Sequence, residues 1–123
     1  MAQLRTQIVA GDFVARIRGL QQNAGFFLAS LVDGGEVRCV AGFRVSDTLY
    51  SGRYLYVDDL VTDGACRSAG YGGQMFDWLV AHAKKNNCEV LTLDSGVQRF
   101  AAHRFYLSHR MDISCHHFSL KLA

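Results

Sequence analysis

The sequence has no proline, no long apolar run and little excess charge. A membrane-spanning helix needs about 20 consecutive apolar residues, and no stretch of this chain approaches that length. The start of the chain also lacks the pattern of a signal peptide. A formal net charge of +2 is too small to indicate a nucleic-acid interface, which usually has a concentrated basic patch. We therefore expect a single cytoplasmic domain, residues 1–123, that binds neither membranes nor nucleic acids.

Close pairs of cysteines are also absent from the sequence. Zinc sites favour ligands in close pairs, and disulfide frameworks are typical of small secreted chains. The four cysteines are spread evenly: Cys39, Cys66, Cys88 and Cys115. His116 and His117 are adjacent, but on a strand they would point to opposite faces and could not hold one ion together. The sequence therefore predicts reduced thiols and no metal site.

Hydrophobic spacing predicts a mixed α/β fold. The amino-terminal region has a helical pattern weakened at Gly11, so one long helix or two short ones are both possible. Asp33-Gly34 between two apolar runs indicates a β-hairpin. The predicted elements are a helical region 3–22, strands 25–35, 36–46 and 54–62, a helix 70–85, a strand 88–94, a helix 97–110 and a strand 111–122.

The most informative stretch is CRSAGYGGQMFDWLVAHAKK, residues 66–85, in which glycines lead directly into an amphipathic helix. It belongs to a strand–turn–helix–strand unit, which normally makes its two strands parallel neighbours. The helix amino terminus then offers unpaired N–H groups and partial positive charge to an anion. Gly70 and Gly72 allow close approach of the backbone, and Arg67 adds a charged donor. This pattern predicts phosphate binding, although a tight turn without a ligand would also explain the glycines.

The pattern differs from the common nucleotide loops, because it has neither the Gly-Lys-Ser/Thr of a P-loop nor the G-x-G-x-x-G of a dinucleotide fold. RSAGYG resembles the pyrophosphate loop of the GNAT superfamily of N-acetyltransferases, whose signature is Gln/Arg-x-x-Gly-x-Gly/Ala. YVDDLVTDGACRSAGYGGQMFDWL is similar to that family's central strand, loop and helix, and LDSGVQRFAAHRFYLSHRM to its next strand and helix. The resemblance covers about residues 54–111. It implies an α/β fold with a splayed, largely antiparallel sheet flanked by helices.

The resemblance implies acetyl-CoA as the cosubstrate, and no metal. The pantetheine arm would pair with the central strand at Leu60, Val61 and Thr62. The pyrophosphate would take backbone N–H groups of the glycine loop: Arg67, Ser68, Ala69, Gly70, Tyr71, Gly72 and Gly73. Arg99 and Ala102 would lie near the pantetheine or adenine end. Many family members have an asparagine in that segment, where this chain has Arg99.

The resemblance also implies catalytic roles for three side chains. Tyr106, in the segment Ala102-x-x-Phe105-Tyr106, matches a tyrosine that protonates the departing thiolate. Asp58 stands where a carboxylate commonly deprotonates the amine through water, and Asp59 is its neighbour, expected on the opposite face of the strand. Without the resemblance, Tyr106 could be a core tyrosine and both aspartates could be structural.

Family members usually begin with a strand and a helix before the helix found here, and no such strand precedes Gln3. The resemblance therefore implies that part of the acceptor pocket is missing or is supplied by a second subunit. An unpaired edge on the last predicted strand also favours a homodimer.

We expect an acetyl-CoA-dependent N-acetyltransferase that moves an acetyl group from the thioester to a primary amine, by direct attack in a ternary complex. The amine belongs to a small molecule or a peptide. Positioning of the two reactants should contribute most to the rate. Their alignment can lower the activation barrier by as much as about 7–11 kcal/mol, whereas one general acid or base increases the rate by about 10²–10⁴-fold. Two alternatives stay open: an acyl-CoA-binding module without turnover, and a nucleotide-phosphate-binding protein unrelated to acyl transfer.

Overall fold

The computed structural model describes residues 1–67 and 69–123. Within them the chain forms two compact units, Met1–Leu93 and Asp94–Ala123. The helices are α1 (Phe13–Asn23), α2 (Tyr71–Lys85) and α3 (Phe100–Ser108), and the strands are β1 (Phe27–Asp33), β2 (Glu36–Thr48), β3 (Gly52–Thr62) and β4 (Val90–Leu93). Short 3-10 helices lie at Ala10–Asp12 and Gly64–Cys66. No helix in the described part of the chain is long and apolar enough to cross a membrane.

The four strands of the first unit lie side by side in chain order. β1, β2 and β3 are antiparallel, and β4 runs parallel to β3. The β1–β2 hairpin turns through Gly34 and Gly35, and α2 makes the crossover between the two parallel strands. The predicted hairpin, the predicted crossover and the mixed, largely antiparallel sheet are therefore confirmed.

One face of the sheet packs against α2. Leu55 of β3 and Leu79 of α2 are both fully buried, at 0% exposure. Met75, Leu79 and Ala83 of α2 follow each other at intervals of four residues and all belong to this core. Phe43 of β2 lies in the same cluster. The apolar stripe of the helix thus buries against the central strands, as its sequence period predicts.

The sheet opens along β3. β4 pairs with β3 only from Tyr54 to Val57. β3 continues to Thr62, and among the described residues no strand pairs with the edge of residues 58–62 on the β4 side. The splayed sheet expected from the resemblance is present, and its opening lies directly before the turn into α2.

Two predicted elements differ from the structure. Residues 1–9 are not helical, because Gln3 and Arg5 bond to β3 and to the turn after it. Residues 111–123 form no strand, so the prediction of a closing strand is wrong. A strand is stable only where a neighbour takes up its backbone hydrogen bonds, and within the described residues the sheet ends at β4.

Candidate functional site

The turn between β3 and α2 is built around one carboxylate. Asp63 precedes the 3-10 helix Gly64–Cys66 and accepts a hydrogen bond from the Ala65 N–H at 3.1 Å. Gln3 donates to the same carboxylate from Nε2 at 3.2 Å, and its Oε1 accepts from the Gly64 N–H at 2.8 Å. These bonds, that from Ala65 first, lower the pKa of Asp63. The path of the chain into the glycine loop is therefore set by one local hydrogen bond, from Ala65, and by two bonds to the distant Gln3.

The amino terminus of α2 is arranged as an anion site. Gly70 is its N-cap, with φ of +85°, a left-handed conformation that side chains disfavour. No side chain in the described ranges caps the helix, and its first turn carries no acid. The N–H groups of Tyr71, Gly72 and Gly73 have no intrahelical partner by helix geometry. This end of α2 can therefore receive the oxygens of a phosphate.

The other predicted loop residues lie just before this helix. Arg67 donates from Nε to the Thr62 carbonyl at 3.4 Å, so its side chain lies back along the end of β3. Ala69 lies in a bend next to Gly70. Ser68 falls outside the described residues.

Tyr71 connects the first turn of α2 to the β1–β2 hairpin. Its hydroxyl donates to Oδ2 of Asp33 at 2.7 Å. This hydrogen bond to a carboxylate is the main cause of a raised pKa of Tyr71, because it holds the proton on the phenol. The helix end that offers its N–H groups is thus anchored to the sheet by a side chain from its own first turn.

The open edge of β3 exposes two of the three residues predicted to bind pantetheine. The Asp63 N–H donates to the Arg38 carbonyl of β2 at 2.8 Å. Because the direction of backbone groups alternates along an antiparallel strand, Val61 also turns its N–H and C=O towards β2. Leu60 and Thr62 then turn theirs towards the open edge. An extended amide-containing arm could pair with these two residues as a strand would.

A β-bulge places both candidate bases on the same face of the sheet. The register between β2 and β3 shifts at Asp58, which is an extra residue on β3. Val57 before it and Leu60 after Asp59 both pack on the side of α2. Asp58 and Asp59 therefore both lie on the other face. The prediction of opposite faces is wrong, because the extra residue interrupts the alternation of an ordinary strand.

Asp58 is held by an arginine that sequence reasoning missed. Arg44 of β2 donates from Nε to Oδ2 at 2.9 Å and from Nη2 to Oδ1 at 2.8 Å, a two-pronged pair. The guanidinium carbon also lies 5.4 Å from the centre of the Tyr56 ring. The hydrogen bonds to Asp58 are the main cause of a raised pKa of Arg44. The carboxylate of Asp58 is thus oriented by a neighbouring strand.

Asp59 is held by a second arginine, from the irregular start of the chain. Arg5 donates from Nε to Oδ1 of Asp59 at 2.6 Å and from Nη2 to the Asp58 carbonyl at 2.7 Å. The side chain of Asp59 is only 14% exposed. Neither arginine could be assigned from sequence, because no local pattern signals an ion pair across 14 or 54 residues.

The remaining predicted site residues belong to the second unit. Arg99 is the N-cap of α3, and Ala102 and Tyr106 lie four residues apart on one face of that helix. Burial raises the pKa of Tyr106, and the charge of Arg99 opposes this to a smaller extent. A raised pKa keeps the phenol protonated at neutral pH, as a proton donor must be. Across residues 1–67 and 69–123, no group of three or more His, Cys, Asp or Glu could hold a metal ion.

Comparison with known proteins decides the family. Residues 7–110 match the family model described as the acetyltransferase (GNAT) family. The chain belongs to this family. The chain is also 33% identical, over 106 residues, to the uncharacterized N-acetyltransferase YhdJ of Bacillus subtilis (strain 168), an alignment that covers 86% of this chain and 75% of that protein. These matches confirm the resemblance to the GNAT family that was found in the strand, glycine loop and helix of this acyltransferase.

Solved structures of the same fold agree with the family assignment. A ribosomal-protein-alanine N-acetyltransferase from Brucella melitensis biovar Abortus 2308 superimposes with a TM-score of 0.82 at 16% identity, over 98% of this chain and 87% of that one. AAC(6')-Iy, solved with a bisubstrate analogue of CoA, gives 0.83 at 9% identity, over 99% and 86%. The family match argues against an unrelated nucleotide-binding protein and does not favour an inactive module.

Proposed function

We propose that this GNAT protein is an acetyl-CoA-dependent N-acetyltransferase, in which a primary amine attacks the thioester directly within a ternary complex. One observation carries the proposal. The open edge of β3, at residues 58–62, runs through a short turn into a helix amino terminus that no described side chain caps. An extended arm that ends in a pyrophosphate matches both features, and the two are joined within one unit of the structure.

The residues present fit acetyl-CoA. Leu60 and Thr62 offer backbone N–H and C=O groups to the amides of pantetheine, and Val61 lies between them. A Cβ at Gly70 would meet no atom within 4 Å, so the loop has room beside its left-handed backbone. We assign the pyrophosphate to the predicted loop: Arg67, Ser68, Ala69, Gly70, Tyr71, Gly72 and Gly73. Arg99 and Ala102 are proposed as further cofactor contacts on the strength of the resemblance. Bound acetyl-CoA would supply the activated acyl group.

Three side chains are proposed to move protons. Tyr106 donates its phenolic proton to the leaving thiolate, which is consistent with its raised pKa. Asp58 or Asp59 accepts, through water, the proton that the acceptor's ammonium loses, so that the neutral amine can attack the thioester. The side chain of Asp58 is the more exposed of the two, at 25% against 14%, but it is held by Arg44 of a neighbouring strand, whereas the partner of Asp59, Arg5, comes from an irregular segment.

Thermal unfolding with and without acetyl-CoA tests the cofactor assignment, with ATP and NAD as controls. A ligand present at 100 times its dissociation constant stabilises the folded state by about 2.7 kcal/mol. At this chain length such a gain raises the melting temperature by several degrees. We expect this increase with acetyl-CoA alone. No increase with acetyl-CoA, or an equal one with ATP or NAD, would contradict the proposal.

Release of CoA in the presence of a panel of amines then tests turnover. We expect Tyr106→Phe to lower kcat by about 10²-fold or more while leaving the affinity for acetyl-CoA unchanged. An equal loss of affinity would assign the tyrosine to binding or packing. Acetyl-CoA binding without turnover of any amine would support the inactive module instead.

We further propose a cytoplasmic homodimer that acts on a small-molecule or peptide amine. Support comes from the end of the chain, where Phe118, Leu120 and Leu122 are each more than 80% exposed at alternate positions. Apolar side chains at this spacing fit a strand that covers its apolar face on a second copy. Sedimentation of the purified chain gives the answer directly, because a strictly monomeric species would remove this proposal.

A further inference from the structure

The irregular start of the chain lies over the end of β3 that carries the two aspartates. We call residues 1–5 the strap. It is fastened at two points: Gln3 bonds to Asp63 and to the Gly64 N–H, and Arg5 bonds to Asp59 and to the Asp58 carbonyl. The acyl-transfer scheme assigns no task to either strap side chain.

The position of Asp59 is built into the sheet. Its carboxylate is mostly buried, and Gly42 on β2 leaves the space for it. A Cβ at Gly42 would lie 2.7 Å from Oδ2 of Asp59 and would collide with the buried ring of Phe26. Burying a carboxylate costs free energy unless a cation or hydrogen-bond donors accompany it. This place therefore requires a cation or hydrogen-bond donors as a partner.

Arg5 is that partner in the structure. Its guanidinium meets two acceptors, Oδ1 of Asp59 at 2.6 Å and the Asp58 carbonyl at 2.7 Å. A carboxylate beside a carbonyl oxygen recognises any cation with two or more N–H donors, so an ammonium group fits as well as a guanidinium. A protonated primary amine shares with the guanidinium of Arg5 a positive charge and several N–H donors.

The two arginines differ in how easily they can leave. Arg44 comes from β2 and is fixed by the strand pairing around it. Arg5 comes from a segment without helix or strand, so no strand pairing fixes its backbone, although the two arginine side chains are about equally exposed. The strap also lines a cavity of about 130 Å³, through Met1 and Gln3, opposite Arg38 and Val61. Release of the strap would uncover Asp59 and widen this cavity at the same time.

We propose that the strap is an autoinhibitory contact, in which Arg5 occupies the place on Asp59 that the cationic group of the acceptor takes. The acceptor displaces Arg5 when it binds. This rests on the proposed function in that the acceptor is an amine, and it narrows the acceptor class to molecules that carry an ammonium or guanidinium group with several N–H donors.

Hydrogen–deuterium exchange of the full chain, measured with and without CoA, tests the displacement without requiring turnover. The probe is agmatine, which carries one ammonium and one guanidinium group. We expect agmatine to speed exchange in residues 1–9 of the wild type. Arg5→Ala should exchange rapidly there without the probe. It should bind agmatine about tenfold more tightly if the strap is closed about nine-tenths of the time. Arg16→Ala, which removes an exposed positive charge from α1, is the matched control and should behave as the wild type.

A second variant keeps the test independent of Asp59. Gln3→Ala loosens the other fastening and should tighten agmatine binding in the same direction, by a smaller factor. Unchanged exchange with agmatine, or equal agmatine affinity in the wild type and both strap variants, overturns the proposal. Acetyl-CoA stabilisation measured on the same samples separates the two hypotheses. Stabilisation without strap displacement rejects the strap alone, whereas displacement without stabilisation rejects the acetyltransferase function and retains the contact.

Discussion

The two parts of β3 on either side of its bulge do different work. Residues 54–57 pair with β2 on one edge and β4 on the other, and Leu55 and Val57 are buried against α2. Residues 58–62 pair with β2 alone and begin with two aspartates. The first part builds the core, and we propose that the second part presents backbone and charge to a ligand. One strand can therefore hold the sheet together and deliver the site, because a single extra residue, Asp58, separates the two tasks.

This difference predicts that stability and ligand response separate along one strand. A substitution before the bulge should change unfolding, and a substitution after it, or in the turn that follows, should change the response to acetyl-CoA. The largest effect is expected in the core.

Leu55→Ala should lower the free energy of unfolding by about 2–5 kcal/mol, because it leaves a cavity where the wild-type side chain is fully buried. Urea denaturation followed by circular dichroism measures the loss. Val61→Ala is the matched control from the open part, where the side chain is only half-buried, and should cost less. Equal losses at the two positions would show that both parts of the strand contribute alike to the core.

The glycine loop gives the next largest contrast. Gly70→Ala should destabilise the fold by about 1–2 kcal/mol, because a side chain disfavours φ of +85° even where space is free. It should also weaken acetyl-CoA binding by moving the loop. Gly19→Ala, in the interior of α1, should instead stabilise by about 0.5–1 kcal/mol. Thermal unfolding with and without acetyl-CoA measures both. The same sign of change at the two glycines would contradict the assigned role of Gly70.

Features that depend on neighbouring residues could be predicted from the sequence. The apolar stripe of α2, the Asp33-Gly34 hairpin and the glycine-led start of α2 are local patterns, and each is present. α2 and β4 followed from the strand–turn–helix–strand order, so the open edge could be expected once the family resemblance was recognised.

Features that depend on distant residues could not be predicted. The bulge at Asp58 is a property of the register between β2 and β3, and strand alternation alone placed Asp59 on the wrong face. Arg5 was predicted in a helix, yet a bond across 54 residues holds it in an irregular segment. The prediction of a closing strand at residues 111–122 was wrong for a related reason, because an alternating pattern does not by itself provide a partner strand.

The Arg44–Asp58 ion pair at the bulge should stabilise the fold more than the Arg53–Asp47 pair, which lies near the turn between β2 and β3. A double-mutant cycle with Arg44→Gln and Asp58→Asn should give a coupling of at most about 1 kcal/mol, because both side chains keep contact with water. Arg53 and Asp47 touch through one contact at 3.3 Å, and the side chain of Asp47 is more exposed than that of Asp58. Their coupling should therefore be smaller. Urea unfolding of the wild type, the four single variants and the two double variants measures both cycles. A larger coupling for Arg53 and Asp47 than for Arg44 and Asp58 would show that the two-pronged geometry adds no stability.

The smallest expected effect is the pH dependence of the turn after β3. Hydrogen bonds from Ala65 and Gln3 lower the pKa of Asp63 below its ordinary value of 3.8 in the folded state. The carboxylate therefore stabilises the fold above pH 3.8, and this contribution is lost as the pH falls through the lower folded pKa. Melting temperatures across this range should fall less steeply for Asp63→Asn than for the wild type. The melting temperature of Gln3→Ala should fall with a slope between those of the other two proteins, because the Ala65 N–H contributes more than Gln3 to the lowered pKa of Asp63. Asp77→Asn, which removes a carboxylate from the exposed face of α2, controls for net charge and should follow the wild type. If Asp63→Asn followed it as well, the turn would have no share in the acid response.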